Sequence, residues 1–314
     1  MNALLDTPGR SPRATECPRS AEQGAVTTVA ADLVGGLAIE PAGGRLVVGR
    51  YRLRSLLGFG GMGLVWLAED ELLERPVALK QVILSDPVSE ESGKAARLRA
   101  LGEARAAARV HHDGAVRIHD VVKEDGRPWI VMEPLSGRTL ADTLNAEGPL
   151  PIEQVTRVGL GLLDVLQATH RAGLVHRDVK PGNVHLCDGG RVVLTDFGIA
   201  CTTDDGSTVP SGEPAGSPAY ISPEQLHCGE VGPASDLFSL GATLFAAVEG
   251  RAPFDKGDLF ATLAAVVEDA PAPFRRAGLL RPVIEGLLAK EPERRLSADQ
   301  SRAALRAIQR EPRC

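Results

Sequence analysis

Residues 57–68 read LGFGGMGLVWLA, with Gly58, Gly60 and Gly63 in the spacing G-x-G-x-x-G. Several phosphate-binding turns share this spacing, and so does an ordinary glycine-rich hairpin. The flanks narrow the choice. A dinucleotide-binding turn runs from a strand into a helix whose N-terminus faces the pyrophosphate. Here Gly63 is followed by Leu64, Val65, Trp66, Leu67 and Ala68, an apolar run carrying a β-branched and an aromatic residue, with nothing to start a helix. No Gly-Lys-Ser/Thr follows, so the P-loop reading also loses its footing. Before the loop, Arg50 to Leu57 alternates polar and apolar residues early on, as a half-buried strand does. The loop therefore joins two strands. Such a hairpin can lie over a nucleoside triphosphate or can be a plain turn, and the glycines alone do not choose.

The rest of the chain sets bounds. Its 314 residues suit one large domain or two lobes. A hydrophobic share of 43% and a charged share of 24% are those of an ordinary soluble globular protein. The net charge of −6 gives no footing for a nucleic-acid surface. Cys17, Cys187, Cys201, Cys228 and Cys314 form no C-x-x-C pair, and their odd number argues for reduced thiols in a cytosolic protein. The apolar run LFSLGATLFAAV, 237–248, falls short of the roughly 20 residues of a membrane span. It reads as a buried core helix. The N-terminus carries no basic-then-apolar leader.

Residues 1–45 are rich in Pro, Ser, Thr, Gly and Arg and read as a disordered tail. Strand-like segments follow from about 50 to 84, then a helix over Lys94–Arg109. Short strands fit Ile118–Val122 and Trp129–Met132, with a turn from Glu124 to Pro128 between them. Beyond residue 134 the pattern is helical. Ile152, Val155, Val158, Leu162, Leu163 and Leu166 recur at helical spacing after Pro151. Further helices fit 235–249, 258–269, 279–290 and 297–309. A small strand-rich part, 46–133, thus precedes a larger helical part, 134–314.

Chemistry-bearing residues cluster in four places. Lys80 ends the strand-like Val77-Ala78-Leu79-Lys80, where it can reach α- and β-phosphates. It needs a carboxylate to hold it, and Glu103 in the next helix is the candidate, although a lone helix glutamate is more often a solvated charge. The octet His176-Arg177-Asp178-Val179-Lys180-Pro181-Gly182-Asn183 offers Asp178 as the base for a hydroxyl and Asn183 as an oxygen ligand. Asp196-Phe197-Gly198 supplies a second oxygen ligand. Hard oxygen donors completed by phosphate and water suit Mg²⁺ or Mn²⁺.

At this point the chain resembles the protein kinases, and specifically the bacterial Hanks-type (eukaryotic-like) serine/threonine kinases. LGFGGMGLVWLA, VALK, the helix Glu103, HRDVKPGN, DFG and Ser222-Pro223-Glu224 occur in that family's order, over roughly residues 50–308. Asp236 in DLFSLG matches the family's buried helix aspartate. Arg295 matches a late arginine that pairs with the glutamate corresponding to Glu224. The resemblance implies an α+β, bilobal fold: a small antiparallel sheet with one main helix, then a larger helical lobe. It implies ATP and Mg²⁺ or Mn²⁺ as cofactors, and protein substrates with Ser/Thr acceptors. Lys180 is the residue that marks Ser/Thr specificity, and Ser217 in GSPAY resembles the Ser/Thr of the loop that receives the substrate.

The same resemblance assigns the nucleotide pocket to the loop residues Leu57, Gly58, Phe59, Gly60, Gly61, Met62 and Gly63, with Val65, Ala78, Lys80, Met132 as gatekeeper, and the hinge Glu133-Pro134-Leu135. Pro134 removes only its own N–H from that hinge. His185 is a departure: the family usually places an apolar residue there, under the purine. A histidine can stack on adenine or weaken ATP binding when protonated, or simply be a tolerated flat side chain. Arg177 is positioned to bind a phosphate on the activation segment, Ile199 to Ala219. Thr202, Thr203 and Thr208 are the better acceptors there, with Ser207 and Ser211 behind. The chain ends soon after the last family helix, so we expect a cytoplasmic protein with no membrane span, a homodimer being one route to trans-autophosphorylation.

Overall fold

The computed structural model describes residues 44–60, 63–82, 101–102, 104–197, 218–227 and 230–310, which fall within one compact unit, Gly44–Cys314. The glycine stretch does join two strands. β1 is Leu46–Val47, β2 is Tyr51–Gly60 and β3 is Gly63–Asp70. β2 and β3 pair antiparallel as far as Gly60 opposite Gly63. The strand thus runs past Leu57, where polar–apolar alternation stops, because the glycines themselves stay in the ladder. Register shifts between Leu53 and Ser55 and between Leu56 and Gly58 mark irregularities that bend and twist the ribbon. With β4 (Arg75–Val82), β5 (Ile118–Glu124) and β6 (Arg127–Met132), the sheet has the order β1-β2-β3-β4-β6-β5 and is antiparallel throughout.

The turn between β5 and β6 is tighter than the sequence suggests. Glu124 pairs with Arg127 and Lys123 with Pro128, leaving only Asp125-Gly126 in the turn, with φ of 50° and 77°. Two residues with positive φ make the hairpin turn whose twist matches its strands, which Asp-Gly favours. Pro128 is tolerated because β4 pairs with β6 only from Trp129 onward. Of the helix expected over Lys94–Arg109, helical turns are described at 101–102 and 104–107. Ala104 there is buried against Val82 and Ile130 of the sheet.

Past the hinge the chain forms β7 (Arg138–Thr139), then α1 (Leu140–Glu147), a helix the sequence reading passed over. Thr139 caps α1 by accepting from the Asp142 amide. α2 spans Ile152–Arg171; β8 (Val184–Leu186) and β9 (Val192–Leu194) join β7 in a small antiparallel sheet. Then come α3 (Pro223–Leu226), α4 (Pro233–Glu249), α5 (Leu259–Glu268), α6 (Arg281–Leu287) and α7 (Ala298–Arg310). The helix expected over 279–290 is shorter. Gly278–Leu280 is a 3-10 turn and Pro282 occupies the first turn of α6, where its missing N–H leaves no bond unmade.

α4 is the axis of the helical part. Every side chain from Ser235 to Val248 is buried, as the apolar run 237–248 suggested. Leu162, Leu163 and Leu166 of α2, and Ile284 and Leu287 of α6, lie in the same core cluster. An added Cβ at Gly241 would come within 2.7 Å of Leu287 Cβ, so only glycine lets α4 and α6 approach this closely. Truncating a fully buried aromatic such as Phe238 or Phe245 removes about 3–5 kcal/mol from such a core.

Arg295 fastens α3 to this core. Its guanidinium donates to Glu224 Oε1 (2.8 Å) and Oε2 (3.1 Å) and to the carbonyls of Ala234 (2.6 Å), Ala289 (2.9 Å) and Lys290 (2.9 Å). That satisfies every N–H a guanidinium carries. Ser235 Oγ adds a bond to Glu224 Oε1 at 2.7 Å. Burial pushes the Glu224 carboxyl upward, but the bonds from Arg295 and Ser235 outweigh it and hold it below the usual range. Glu224→Ala should therefore cost roughly 3–5 kcal/mol in urea unfolding, because it strands a buried cation. A loss under about 1 kcal/mol would show that water reaches Arg295.

Candidate active site

Lys80 lies on β4, directly opposite Val65 of β3 and Ile130 of β6, while Ala78 stands opposite Leu67 and Met132. Directly opposed residues share a face, so Val65, Ala78, Lys80 and Met132 line one side of the sheet. Val65, Ala78, Met132 and the hinge residue Leu135 also belong to the apolar cluster that includes Val184 and Leu186. Leu57 and Phe59 remain largely exposed, at 53% and 45%. Large apolar side chains left in water at the mouth of such a face fit a planar ligand covering them. Among the described residues, neither the Glu133 carbonyl nor the Leu135 amide is engaged by another backbone group. Both are free to pair with a base.

The Lys80 ammonium is only 3% exposed and lies 2.6 Å from Asp196 Oδ1. The approach is an ion contact whose angle misses hydrogen-bond geometry, so this buried amine is left without a hydrogen bond among the described residues. An ammonium carries three N–H groups, so the contact with Asp196 leaves it capacity for a further anion.

Below it several backbone groups of the octet 176–183 are held by hydrogen bonds. Asp236, at the start of α4 and fully buried, accepts from His176 N (2.8 Å, Oδ2) and Arg177 N (2.8 Å, Oδ1). His170 Nε2 of α2 reaches the same carboxyl at 2.7 Å. Asp178 N donates to His176 Nδ1 at 3.3 Å, which makes that nitrogen an acceptor and puts the ring proton on Nε2, 3.0 Å from Thr195 O. The His176 ring also packs on Phe197, with centroids 4.8 Å apart. Burial drives the His176 pKa down, so the neutral form is the resident one.

Asp178 Oδ2 receives Lys180 Nζ at 2.8 Å and Asn183 Nδ2 at 2.7 Å. Asn183 Nδ2 also donates to Asp178 O at 2.8 Å. Both amide hydrogens of Asn183 are therefore used, which leaves its Oδ1 available. The other carboxylate oxygen of Asp178 has no hydrogen-bond partner among the described residues and can accept from an incoming hydroxyl. Thr195 N donates to Asn183 O at 2.9 Å, and Asp196 follows with φ of 58°. One run of contacts thus connects Lys80, Asp196, Thr195, Asn183, Asp178 and Lys180.

Two oxygens, from Asn183 and Asp196, are a partial set for a hard cation. Among the described residues no group of three His, Cys, Asp or Glu side chains can hold a metal alone, so phosphate and water must complete it. The donors present fit Mg²⁺ or Mn²⁺ held together with a nucleotide. Glu103, Gly61, Met62 and Gly198, and the activation-segment residues Thr202, Thr203, Ser207, Thr208, Ser211 and Ser217, lie outside the described residues.

His185 sits on β8 between Thr139 and Val193. Burial lowers its pKa, outweighing a contact with the Ser136 backbone that raises it. It is a neutral, flat ring at pH 7. Sequence reasoning missed His170, which braces the Asp236 carboxyl, and Thr195 and Gln225, which bond to the octet's backbone. It also missed the use made of the Glu133 side chain. That carboxylate accepts from the Arg117 amide (3.0 Å) and pairs with Arg191 (2.9 Å).

The comparisons agree with this geometry. Residues 51–304 match the protein kinase domain family. Serine/threonine-protein kinase PknA of Mycobacterium tuberculosis is 38% identical over 291 residues, 88% of this chain and 65% of that protein. PknL of the same species is 37% identical over 234 residues, 74% of this chain and 57% of its own length. Serine/threonine-protein kinases drp72 of Corynebacterium efficiens is 36% identical over 255 residues, 79% and 48% respectively. The chain thus spans between about half and two thirds of these curated relatives. A sheet with its lysine facing inward, a helical part built on Asp236 and a match across most of the length lead to one statement: the chain belongs to the protein kinase family, in its bacterial Hanks-type group.

Proposed function

We propose that the chain transfers the γ-phosphate of ATP to serine or threonine hydroxyls of proteins. The observation that carries this reading is the single run of contacts from Lys80 through Asp196 and Asn183 to Asp178 and Lys180. The relatives named as serine/threonine-protein kinases support it. Bound ATP with Mg²⁺ or Mn²⁺ would supply the phosphoryl group and the counter-charge for it. Asn183 and Asp196 are the metal-holding residues, and Lys80 gives positive charge to the phosphates, with Glu103 as its family partner. Asp178 orients the acceptor hydroxyl and takes up its proton. Lys180, held beside Asp178, faces the transferred group.

Positioning and charge compensation do most of the work in this chemistry. The site's residues are fixed before substrate arrives, because each is bonded to a neighbour of opposite character. No described helix is long and apolar enough to cross a membrane; the use of ATP supports a cytoplasmic site of action as part of this reading. Autophosphorylation on the activation segment belongs to the same reading, with Arg177 as the group that would hold the added phosphate and a homodimer as one route to the transfer.

Three outcomes test the reading. Lys80→Ala and Asp196→Ala should each lower turnover roughly a thousandfold while leaving the folded state intact by circular dichroism. Near-normal turnover of Asp196→Ala removes the metal assignment. Mass spectrometry of purified protein should find phosphate on Thr202, Thr203 or Thr208, and none in Asp178→Asn. The third concerns pH. The folded pKa of His176 lies below the ordinary 6.5, so the unfolded chain protonates first as pH falls. The stability it contributes is complete above 6.5 and is lost below it. Urea midpoints that do not fall between about pH 7 and pH 5 would contradict a neutral, buried His176.

A further inference from the structure

The Arg177–Asp178 peptide holds the proposed base, and it is bent. Arg177 has φ of 67°, a left-handed conformation that side-chain-bearing residues seldom adopt. Such a residue persists only where its surroundings over-determine it. Asp236 fixes the N–H of Arg177. What fixes its carbonyl comes from elsewhere: Gln225 Nε2 of α3 donates to Arg177 O at 3.1 Å, across 48 residues of sequence.

Gln225 also has a local duty. Its Oε1 accepts from Ser222 N (3.1 Å) and Ser222 Oγ (2.9 Å), which caps the start of α3. The capping accounts for the oxygen and leaves the nitrogen unexplained. The orientation of the amide follows from its partners, because a backbone N–H can only donate and a carbonyl can only accept. Neighbouring Glu224 is held by the buried Arg295, so Gln225 stands on a rigid footing.

We propose that Gln225 is a positioning residue: its side-chain amide is a strut between α3 and the catalytic octet that sets the Arg177–Asp178 peptide. This rests on the function proposed above. A planar, uncharged amide offers a donor and an acceptor on one group, so it links the cap of α3 to the octet without bringing a charge near Asp178. α3 directly follows 218–222, part of the segment that would receive the substrate. A shift of those residues can therefore reach the base through the Gln225 side chain. Lys80 and the adenine-facing residues are untouched by it. The strut acts on turnover and leaves nucleotide binding alone.

The test uses two variants of the full chain. Gln225→Glu keeps both acceptor bonds to Ser222 and loses the donor to Arg177 O. Gln225→Met keeps the length and loses both, without adding a charge. With dephosphorylated casein and radiolabelled ATP, both should lower kcat about tenfold. KM for ATP should stay within about twofold, and thermal midpoints within a few degrees. Amide exchange in the peptide covering 174–183 should quicken in both. Wild-type kcat and unchanged exchange in Gln225→Glu would overturn the strut. A drop in Gln225→Glu alone would also overturn it, by assigning the effect to the new charge. Wild-type protein that transfers no phosphate would sink the proposed function, while the exchange measurement would still decide the strut.

Discussion

A single buried carboxyl, that of Asp236, sets the geometry of the site. Burying such a group is costly unless donors meet it, and three do: two backbone amides of the octet and His170. Its place in the first turn of α4 adds the favourable end of the helix dipole. Removing it would release two consecutive peptides whose curvature no other group supports from that side. Because α4 is buried along nearly its whole length, the octet is referenced to an element packed on every side. Asp178, the amide of Asn183 and Lys180 inherit that reference.

The sheet supplies the second half by a different means. Here the register does the positioning. Pairing of Val65 with Lys80, and of Ala78 with Met132, puts four residues from three strands on one face. A one-residue slip would turn all of them away. β2 and β3 stay paired to Gly60 opposite Gly63, so the ladder reaches the turn, bent on the way by its two register shifts.

Much of this was legible in the sequence where function and local pattern coincide. HRDVKPGN and DFG announced by their spacing the residues that the structure brings together, and the apolar run 237–248 declared a buried helix. The glycine loop declared itself a hairpin through what followed it. The turn at Asp125-Gly126 was read too wide, since Pro128 looked like turn chemistry although it sits in the ladder. α1 was passed over because its eight residues show little periodicity, and its cap, Thr139, lies in a strand. Less legible still were the groups that hold the octet and its buried carboxyl in place. His170, Thr195 and Gln225 act at a distance along the chain, so no local spacing encodes them.

Glu133 has a consequence of its own. Its carboxylate ties the segment entering β5, through the Arg117 amide, to Arg191 beyond β8, and it sits in the connection between the two parts. Any rocking of the sheet over the helices must pivot around this staple or break it. At Gly137, four residues on, an added Cβ would lie 2.1 Å from Leu186 O, so the chain there is pressed against β8 and cannot swing either. Partly exposed ion pairs weaken as salt rises, so the share of the connection's rigidity that the Glu133–Arg191 pair carries falls with ionic strength, while the packing at Gly137 does not.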